Sequence, residues 1–155
     1  MNIAESALLR KGGIFIVANP FEPKFSLLNH PSYHALYNEV LPTVKDPVEL
    51  WDTYSEEYAH RSEFVHKYRN GFAYHGAHPC ILYGQGLYAL NHLSAVFAAG
   101  VPKEHEEVAR RVGFEPFPTV DVAVQEAEAR LGKDCTITYH PHLEEQTYFT
   151  RVNVS

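Results

Sequence analysis

Several features that would assign a chemistry at once are scarce or missing in this sequence. It has 2 cysteines, 1 tryptophan and 1 methionine among 155 residues, and it contains no C-x-x-C pair. It also has no G-x-S-x-G turn and no phosphate-binding P-loop motif. These gaps remove the thiol-redox, serine hydrolase and P-loop nucleotidase interpretations.

Positive charge and long apolar runs are also in short supply. Lys and Arg number 13 against 19 Asp and Glu, which gives a formal net charge of -6 and disfavours nucleic acid or an anionic membrane as partner. No apolar run reaches the roughly 18 residues that a membrane span needs. Both cysteines, Cys80 and Cys135, lie in strand-like runs, which favours buried thiols and a cytoplasmic location.

What the sequence does contain is an alternation of apolar runs and amphipathic stretches. With 45% hydrophobic residues in 155, the chain is expected to form a single α/β domain over residues 1–155. Apolar runs predict buried strands at 14–17, 79–84, 94–100 and 135–141, and a weaker edge strand at 146–155. The sequence therefore predicts a three-layer Rossmann-like sandwich whose mostly parallel sheet has about four to five strands.

Helices are predicted between these strands from periodicity and end signals. Ser32, Asp46 and Thr119 are placed as N-caps, and Gly132 as a terminating residue. The predicted helices cover 32–41, 46–61, 62–78, 102–114 and 119–132, with a further helix around Ala4 to Leu8. In the second of them, Val48, Trp51 and Tyr54 or Tyr58 are expected to form the buried face; in the last, Val120, Val124, Ala127 and Leu131.

Histidines occur in two close pairs. His75 and His78 are three residues apart, a spacing that on a helix aims both rings at one face, as a metal pair or an acid/base couple requires. A helix end, with one histidine capping carbonyls and the other bonded in the loop, is the alternative. His140 and His142 flank a proline, where either chelation or a plain loop is compatible with the spacing.

A glycine-containing element follows the predicted strand at 79–84. Gly84, Gly86 and Ala89 form a literal G-x-G-x-x-A, which in a dinucleotide fold lets a pyrophosphate approach a helix N-terminus. A tight turn needed only for packing is the alternative. As a loop at the carboxyl end of a strand, this element would let Gln85 face a ligand.

The loop after the first predicted strand is rich in proline and asparagine. Open α/β sheets bind ligands at the carboxyl ends of their strands, so Asn19, Glu22 and the nearby His30 are candidate ligand residues. A purely structural loop, fixed by Pro20 and Pro23, is the other interpretation.

Several stretches resemble, in order and spacing, the C-terminal half of the nickel-dependent lactate racemase family. These are AESALLRKGGIFIVA, DPVELWDTY and RRVGFEPFPTVDVAVQEAEARLGKDCTITYHPH. In that family an A-E-x-x-L helix leads through Gly-Gly into an apolar strand, and a G-F-x-P element precedes an Ala- and Glu-rich helix. Here the G-F-x-P element is Gly113–Pro116, the helix runs from Val120 to Leu131, and the resemblance extends from about Ile3 to about His142.

The resemblance implies a two-domain racemase or epimerase of 2-hydroxy acids. Its cofactor would be a nickel pincer nucleotide held by a lysine, which takes up hydride while a pair of histidines exchanges the hydroxyl proton. Those residues belong to the family's N-terminal half and match no position here, so no catalytic or metal-binding residue is carried over. The chain is expected to form one wall of the cleft, to be inactive alone, and to need the N-terminal catalytic half, on the same or a separate polypeptide.

A substrate-side tryptophan of the family has no counterpart at the matching place, where this chain has Phe64, His66 and Tyr68. Small 2-hydroxy acids other than lactate therefore stay open as substrates. The candidate substrate or cleft residues are Asn19, Glu22, His30, His66, Tyr68, His75, His78 and Gln85. The competing hypothesis is a free-standing Rossmann-like module that binds a nucleotide or a small anion through the Gly84–Ala89 element.

Overall fold

The computed structural model describes residues 10–139, apart from the side chains at 87–89. Its strands are β1 (Ile14–Ala18), β2 (Ala95–Ala99) and β3 (Glu115–Phe117). Its helices are α1 (Pro31–Ala35), α2 (Pro47–His60), α3 (Ser62–Asn70), α4 (His78–His92), α5 (Glu106–Arg111) and α6 (Val120–Leu131). A π-helical turn (Leu36–Val40) continues α1, and a 3-10 turn (Lys103–His105) precedes α5.

The helix ends follow from the capping residues in the sequence. The Asp46 carboxylate accepts two backbone N–H groups of the first turn of α2, each at 2.9 Å, and the Thr119 hydroxyl accepts one at the start of α6. Gly132 ends α6 with a φ of 94°, a conformation that glycine adopts without strain. These three predictions are confirmed. The prediction for Ser32 is wrong, because His30 is the N-cap of α1 and Ser32 is buried.

The three strands form one parallel sheet in the order β1-β2-β3. Ile14 lies opposite Ala95, and Phe97 lies opposite Glu115. The fold class is therefore α/β with a parallel sheet, as predicted. Within residues 10–139 the sheet has three strands, fewer than the four to five that the sequence suggested.

Two predicted strands that the structure does not contain, and one that lies outside the described residues, account for this difference, although β3 was not predicted. The predicted strand at 79–84 is wrong, since these residues lie in α4; a short apolar run does not distinguish a buried strand from a buried helix. Residues Cys135–Tyr139 are not in a strand. The three-residue β3 was missed because Glu-Pro-Phe lacks the strand pattern. The predicted helix around Ala4 to Leu8, His140, His142 and the predicted strand at 146–155 lie outside the described residues.

Helices cover both faces of the sheet. On one face, Phe97 and Ala99 of β2 pack against Ala123 and Ala127 of α6, which crosses all three strands. On the other face, Ala98 packs with Ala109 of α5 and with Val101. A third cluster joins α1 to α4; its buried members include Leu36, Val40, Leu41, Val44, Leu50, Tyr58, Phe64 and Cys80.

The buried faces of two helices are as predicted at Tyr58 of α2 and Ala127 of α6 but differ at other positions. In α2 the buried residues are Leu50 and Tyr58, while Val48 and Trp51 are exposed. In α6 the buried residues are Ala123 and Ala127, with Val120 and Leu131 exposed. In α6 the buried residues are alanines and not the larger valine and leucine at its ends. In α2 the buried face includes Leu50 and excludes Val48 and Trp51.

Cys80 makes the third cluster sensitive to alkaline pH. Burial raises the pKa of its thiol to about 11, whereas an unfolded thiol titrates near 8.5. Because the folded pKa is the higher one, this contribution is complete below about pH 8.5 and is lost as the pH rises towards 11. We expect urea unfolding at pH 8, 9.5 and 11 to show a loss of roughly 2 kcal/mol that Cys80→Ala lacks. Identical pH dependence in both proteins would contradict this.

Candidate functional site

Two loops on the carboxyl side of β1 and α3 are joined at Asn29. The Asn29 carbonyl accepts the backbone N–H of Tyr74 at 2.9 Å, and its side-chain amide donates to the carbonyl of Phe72 at 3.3 Å. The Ser26 hydroxyl in turn donates to the Asn29 side chain at 3.0 Å. These bonds fasten the loop that follows β1 to the loop between α3 and α4.

The joined loops bring two histidines and two tyrosines together. The Tyr74 ring is stacked on His30, with centroids 4.8 Å apart and an interplanar angle of 17°, and on His78, at 4.7 Å and 25°. Tyr33 meets His30 edge-on, with 5.1 Å between centroids. We call His30, Tyr33, Tyr74 and His78 the His–Tyr cluster.

A short hydrogen bond couples two members of this cluster. The Tyr33 Oη and the His78 Nδ1 lie 2.5 Å apart. Burial and the neighbouring Tyr74 raise the pKa of Tyr33, so its hydroxyl keeps its proton and can donate a hydrogen bond to the Nδ1 of the imidazole. In that arrangement the ring proton of neutral His78 is on Nε2. The pair has the form of an acid/base couple, with one side chain orienting the other.

Gly76 places the start of α4 against the helix pair below it. A Cβ at this position would lie 1.9 Å from the Tyr58 carbonyl oxygen and 3.1 Å from the Phe64 Cβ, so only glycine allows this approach. Gly76 lies two residues before His78, the first residue of α4. Its close contact with the helix pair therefore determines the position of His78.

His75 and His78 do not share a helix face, so that prediction is wrong. His75 lies in the turn before α4, where its Nδ1 accepts the Ala77 N–H at 3.3 Å and its ring meets Tyr68 edge-on at 5.2 Å. The bond from Ala77 fixes His75 in the loop, as one part of the alternative interpretation expected, but His78 begins a helix and is bonded to Tyr33.

Several exposed apolar side chains lie in the two joined loops or on α3, which precedes the second loop. Leu28 precedes Asn29 in the chain and is 64% exposed, and Phe72, whose carbonyl accepts the Asn29 hydrogen bond, is 80% exposed. Tyr68 and Tyr74 are about half exposed. We call Leu28, Tyr68, Phe72 and Tyr74 the apolar rim. Exposed apolar side chains that lie together mark sites of interaction with other molecules.

Asn19 and Glu22 belong to a separate turn at the carboxyl end of β1. The Asn19 side chain accepts the Phe21 N–H at 2.8 Å, and Phe21 has a φ of 51°. Glu22 is paired with Lys24, whose hydrogen bond and charge lower the pKa of the Glu22 carboxyl. The ring of His105 donates to the Pro20 carbonyl at 3.0 Å and so holds the turn against the chain after β2.

Two further predicted site residues also lie apart from the cluster. His66 is exposed on α3 and bonded to the Asn70 amide at 3.3 Å, and Gln85 is exposed on α4. The tight turn predicted at Gly84 and Gly86 is wrong: both glycines lie inside α4, and neither has a positive φ. The structure thus unites His30 and His78 and separates them from Asn19, Glu22, His66 and Gln85.

Tyr33 and Tyr74 are the site residues that sequence reasoning missed. Tyr33 follows His30 by three residues, and Tyr74 precedes His78 by four. Their signal was the closeness of each tyrosine to a histidine in a chain that contains 10 of each. Nothing in either segment alone shows that the two pairs meet.

Comparison of the chain with protein-family models, with curated proteins and with solved structures finds no match. In the part of the chain that the structure describes, no helix combines the length and the apolarity of a membrane span. Between residues 10 and 139, no three His, Cys, Asp or Glu side chains lie close enough together to share a metal ion.

The Tyr33–His78 bond predicts a defined imidazole tautomer. In the neutral ring of His78 we expect nitrogen NMR to show an unprotonated Nδ1 and a protonated Nε2. In Tyr33→Phe this signature should give way to a mixture of tautomers, with a stability loss of about 1 kcal/mol for the lost bond. Tyr68→Phe, at an exposed tyrosine beside His75, is the matched control. An unchanged His78 tautomer in Tyr33→Phe would contradict the assignment.

Proposed function

We propose that this chain forms one wall of the substrate cleft in a 2-hydroxy acid racemase or epimerase similar to the nickel-dependent lactate racemase family. The N-terminal catalytic half, on the same or another polypeptide, would form the other wall. The observation that carries the proposal is the His–Tyr cluster bordered by the apolar rim. It combines oriented polar groups for a small substrate with a surface for a protein partner.

The resemblance and the fold support the same proposal. The motifs that resemble the family include β1, α2, β3 and α6; β1 and β3 belong to the parallel sheet, and α6 covers one of its faces. In the candidate cluster, His30 ends the loop after β1 and Tyr33 lies in α1, while Tyr74 lies in the loop before α4 and His78 is the first residue of α4. Loops at the carboxyl ends of parallel strands are where α/β proteins bind their ligands.

The cluster offers suitable chemistry for a 2-hydroxy acid. His78 Nε2–H can donate to a carboxylate or hydroxyl oxygen, and its orientation is fixed by Tyr33. Tyr74, held between two imidazoles, gives the substrate's carbon chain an apolar neighbour. These residues would bind and orient the substrate, while the apolar rim would exclude water once the partner is in place.

The residues described here do not fit the nickel pincer cofactor. No set of three metal-ligating side chains occurs among residues 10–139, and no lysine belongs to the His–Tyr cluster. The proposal therefore leaves the cofactor, and the hydride transfer that it would supply, to the N-terminal half. We further propose that the complete sheet is Rossmann-like with four to five strands and that the protein is cytoplasmic. Nucleic acid and membranes are not proposed as partners.

The competing nucleotide-binding hypothesis has a weaker basis. Its phosphate site was the Gly84–Ala89 element, and a tight turn there is replaced by the middle of α4. Backbone N–H groups in the interior of a helix are bonded within the helix and cannot hold a pyrophosphate. The cleft-wall proposal needs no such turn.

Reconstitution with a catalytic half tests the proposal. The full chain is mixed with the cofactor-loaded N-terminal half of a nickel-dependent lactate racemase, and the D and L forms of lactate and 2-hydroxybutyrate are separated by chiral chromatography. We expect neither half alone to interconvert the forms and the mixture to do so. His78→Ala should lower this rate at least tenfold, whereas His60→Ala, at an exposed histidine of α2, should not.

Substrate binding to the chain alone supplies a second readout. We expect 2-hydroxy acids to shift the ring resonances of His30 and His78, and to leave those of His60 unchanged. A mixture that interconverts neither acid, together with unshifted His30 and His78 resonances, would overturn the proposed function.

A further inference from the structure

The outer edge of β1 is unsuited to face solvent. Its residues Ile14–Ala18 read IFIVA, without a charge or a proline, and within residues 10–139 β1 is paired on one side only, with β2. Natural edge strands carry charges, prolines or bulges that prevent further pairing. β3 has such protection, because its Glu115-Pro116-Phe117 sequence holds both a charge and a proline. A continuous apolar strand like β1 is typical of the interior of a parallel sheet.

The positions of α5 and α6 determine where the chain should return to the sheet. α5 packs on the face that includes Ala98, and α6 packs on the opposite face with Phe97 and Ala99. Crossover connections between parallel strands are right-handed. The connection through α5 moves from β2 to β3, so one through α6, on the other face, must move back towards β1. The contacts of α6 with β1 and β2 agree with this direction.

The segment that follows α6 has the properties of the missing neighbour. Gly132 ends the helix, and the Cys135 N–H donates to the Gly132 carbonyl in a tight turn. Cys135–Tyr139 reads CTITY, in which β-branched and aromatic residues predominate. Ile137 and Tyr139 are 60% and 81% exposed, which leaves large apolar side chains in water.

Residues 135–139 are outside any strand in the structure; we propose that in solution they move to the outer edge of β1 and dock there as a fourth parallel strand. The strand order then becomes 135–139, β1, β2, β3. Docking would cover the unprotected edge of β1 and remove Ile137 and Tyr139 from water.

The added strand has a consequence for ligand binding. The crossover after β1 leads to β2 on one side of β1, and the later crossover through α6 would lead to the new strand on its other side. The strand order would therefore reverse between β1 and the new strand. In α/β sheets the ligand crevice opens above the carboxyl ends at such a point. The loop that begins at Asn19 and ends at His30 would then form one side of that crevice, with Asn19 and Glu22 at its base. This placement holds whether or not the ligand is a 2-hydroxy acid.

Cross-linking tests the docked position. In a Cys80→Ala, Cys135→Ala background, Tyr139→Cys is combined with Ala18→Cys at the end of β1 or with Pro118→Cys just after β3. Neighbouring strands are about 4.8 Å apart, so the proposed order puts residue 139 about 5 Å from the β1 pair and roughly 14 Å from the β3 side. We expect a short bifunctional thiosulfonate to link the Ala18 pair at least tenfold more efficiently. Equal linking, or preference for Pro118, would overturn the proposal.

Hydrogen exchange of the full-length, unsubstituted chain supplies an independent readout. The β1 amides that do not point towards β2 should exchange at least 100-fold more slowly than exposed loop amides, and Ile137→Pro should abolish that protection. Protection of the β3 amides should be unchanged in Ile137→Pro. Fast exchange of the outward β1 amides in the unsubstituted chain would also overturn the proposal.

Discussion

Gly76→Ala is expected to destabilise the protein by about 3 kcal/mol or more. The added Cβ would lie 1.9 Å from the Tyr58 carbonyl oxygen and 2.9 Å from its carbonyl carbon. Both are backbone atoms of α2, so no side-chain rotation relieves the contact, and α4 must move away from α2. Urea unfolding followed by circular dichroism measures the loss. The same displacement should disturb the Tyr33–His78 bond and mix the tautomers of His78.

Gly84→Ala and Gly86→Ala are the matched controls. Both glycines lie within α4, and a Cβ at either meets nothing within 4 Å. An alanine in a helix interior is favoured over glycine by roughly 0.5 to 1 kcal/mol, so each control should be slightly more stable than the parent chain. Destabilisation of the controls would indicate that the predicted glycine turn exists after all. A neutral Gly76→Ala would contradict the close approach of α2 and α4.

Sequence reasoning succeeded where one local signal determined the structure. The Asp46 carboxylate and the Thr119 hydroxyl each cap a helix start, and Gly132 supplies a positive φ at a helix end. Each of these residues bonds to, or bends, the backbone within a few residues of its own position. The central strand β2 was also predicted, because seven apolar or small residues between a polar segment and a glycine leave few alternatives. The alternation of strands and helices was enough to predict a parallel α/β sheet.

It failed where tertiary packing decides between local alternatives. Residues 79–84 are apolar enough for a buried strand, but Cys80 packs among helices in the third cluster, and the run continues as α4. Trp51 was expected on the buried face because of its spacing from Val48 and from Tyr54 or Tyr58, yet it is 47% exposed. The buried residues of α2 are Leu50, which was not predicted, and Tyr58, which was. Periodicity identifies a helix, but the neighbour that covers it selects the buried face.

The candidate site shows the same division. His30 was identified from its place near the end of the first strand and His78 from its spacing to His75, and both criteria are local. Their meeting through Tyr74 depends on the Asn29 bonds to a loop more than 40 residues away in sequence. No spacing rule covers such a pair. The site therefore combines residues that sequence reasoning named separately with two tyrosines that only the fold identifies.

Tyr58→Ala is expected to cost about 4 kcal/mol, through the same contact that places the site. Tyr58 is fully buried, its ring packs on Phe64 at 5.4 Å, and the Arg61 guanidinium lies 4.5 Å from its centroid. Truncation of a large buried aromatic side chain leaves a cavity and costs 3–5 kcal/mol. Arg61, which also pairs with Glu39 at 2.9 Å and with Glu57 at 2.5 Å, would lose its aromatic neighbour.

Two further variants separate the ring of Tyr58 from its hydroxyl and from general effects of losing a tyrosine. The hydroxyl meets Glu39 at a long 3.5 Å, so Tyr58→Phe should cost less than about 1 kcal/mol. Tyr68→Ala, at an exposed ring, should stay within about 0.5 kcal/mol. Because the Tyr58 carbonyl abuts Gly76, the cavity in Tyr58→Ala should also loosen the start of α4 and mix the His78 tautomers. A large loss of stability with an unchanged His78 signature would show that the His–Tyr cluster is held by its loops alone, independently of the helix cluster beneath it.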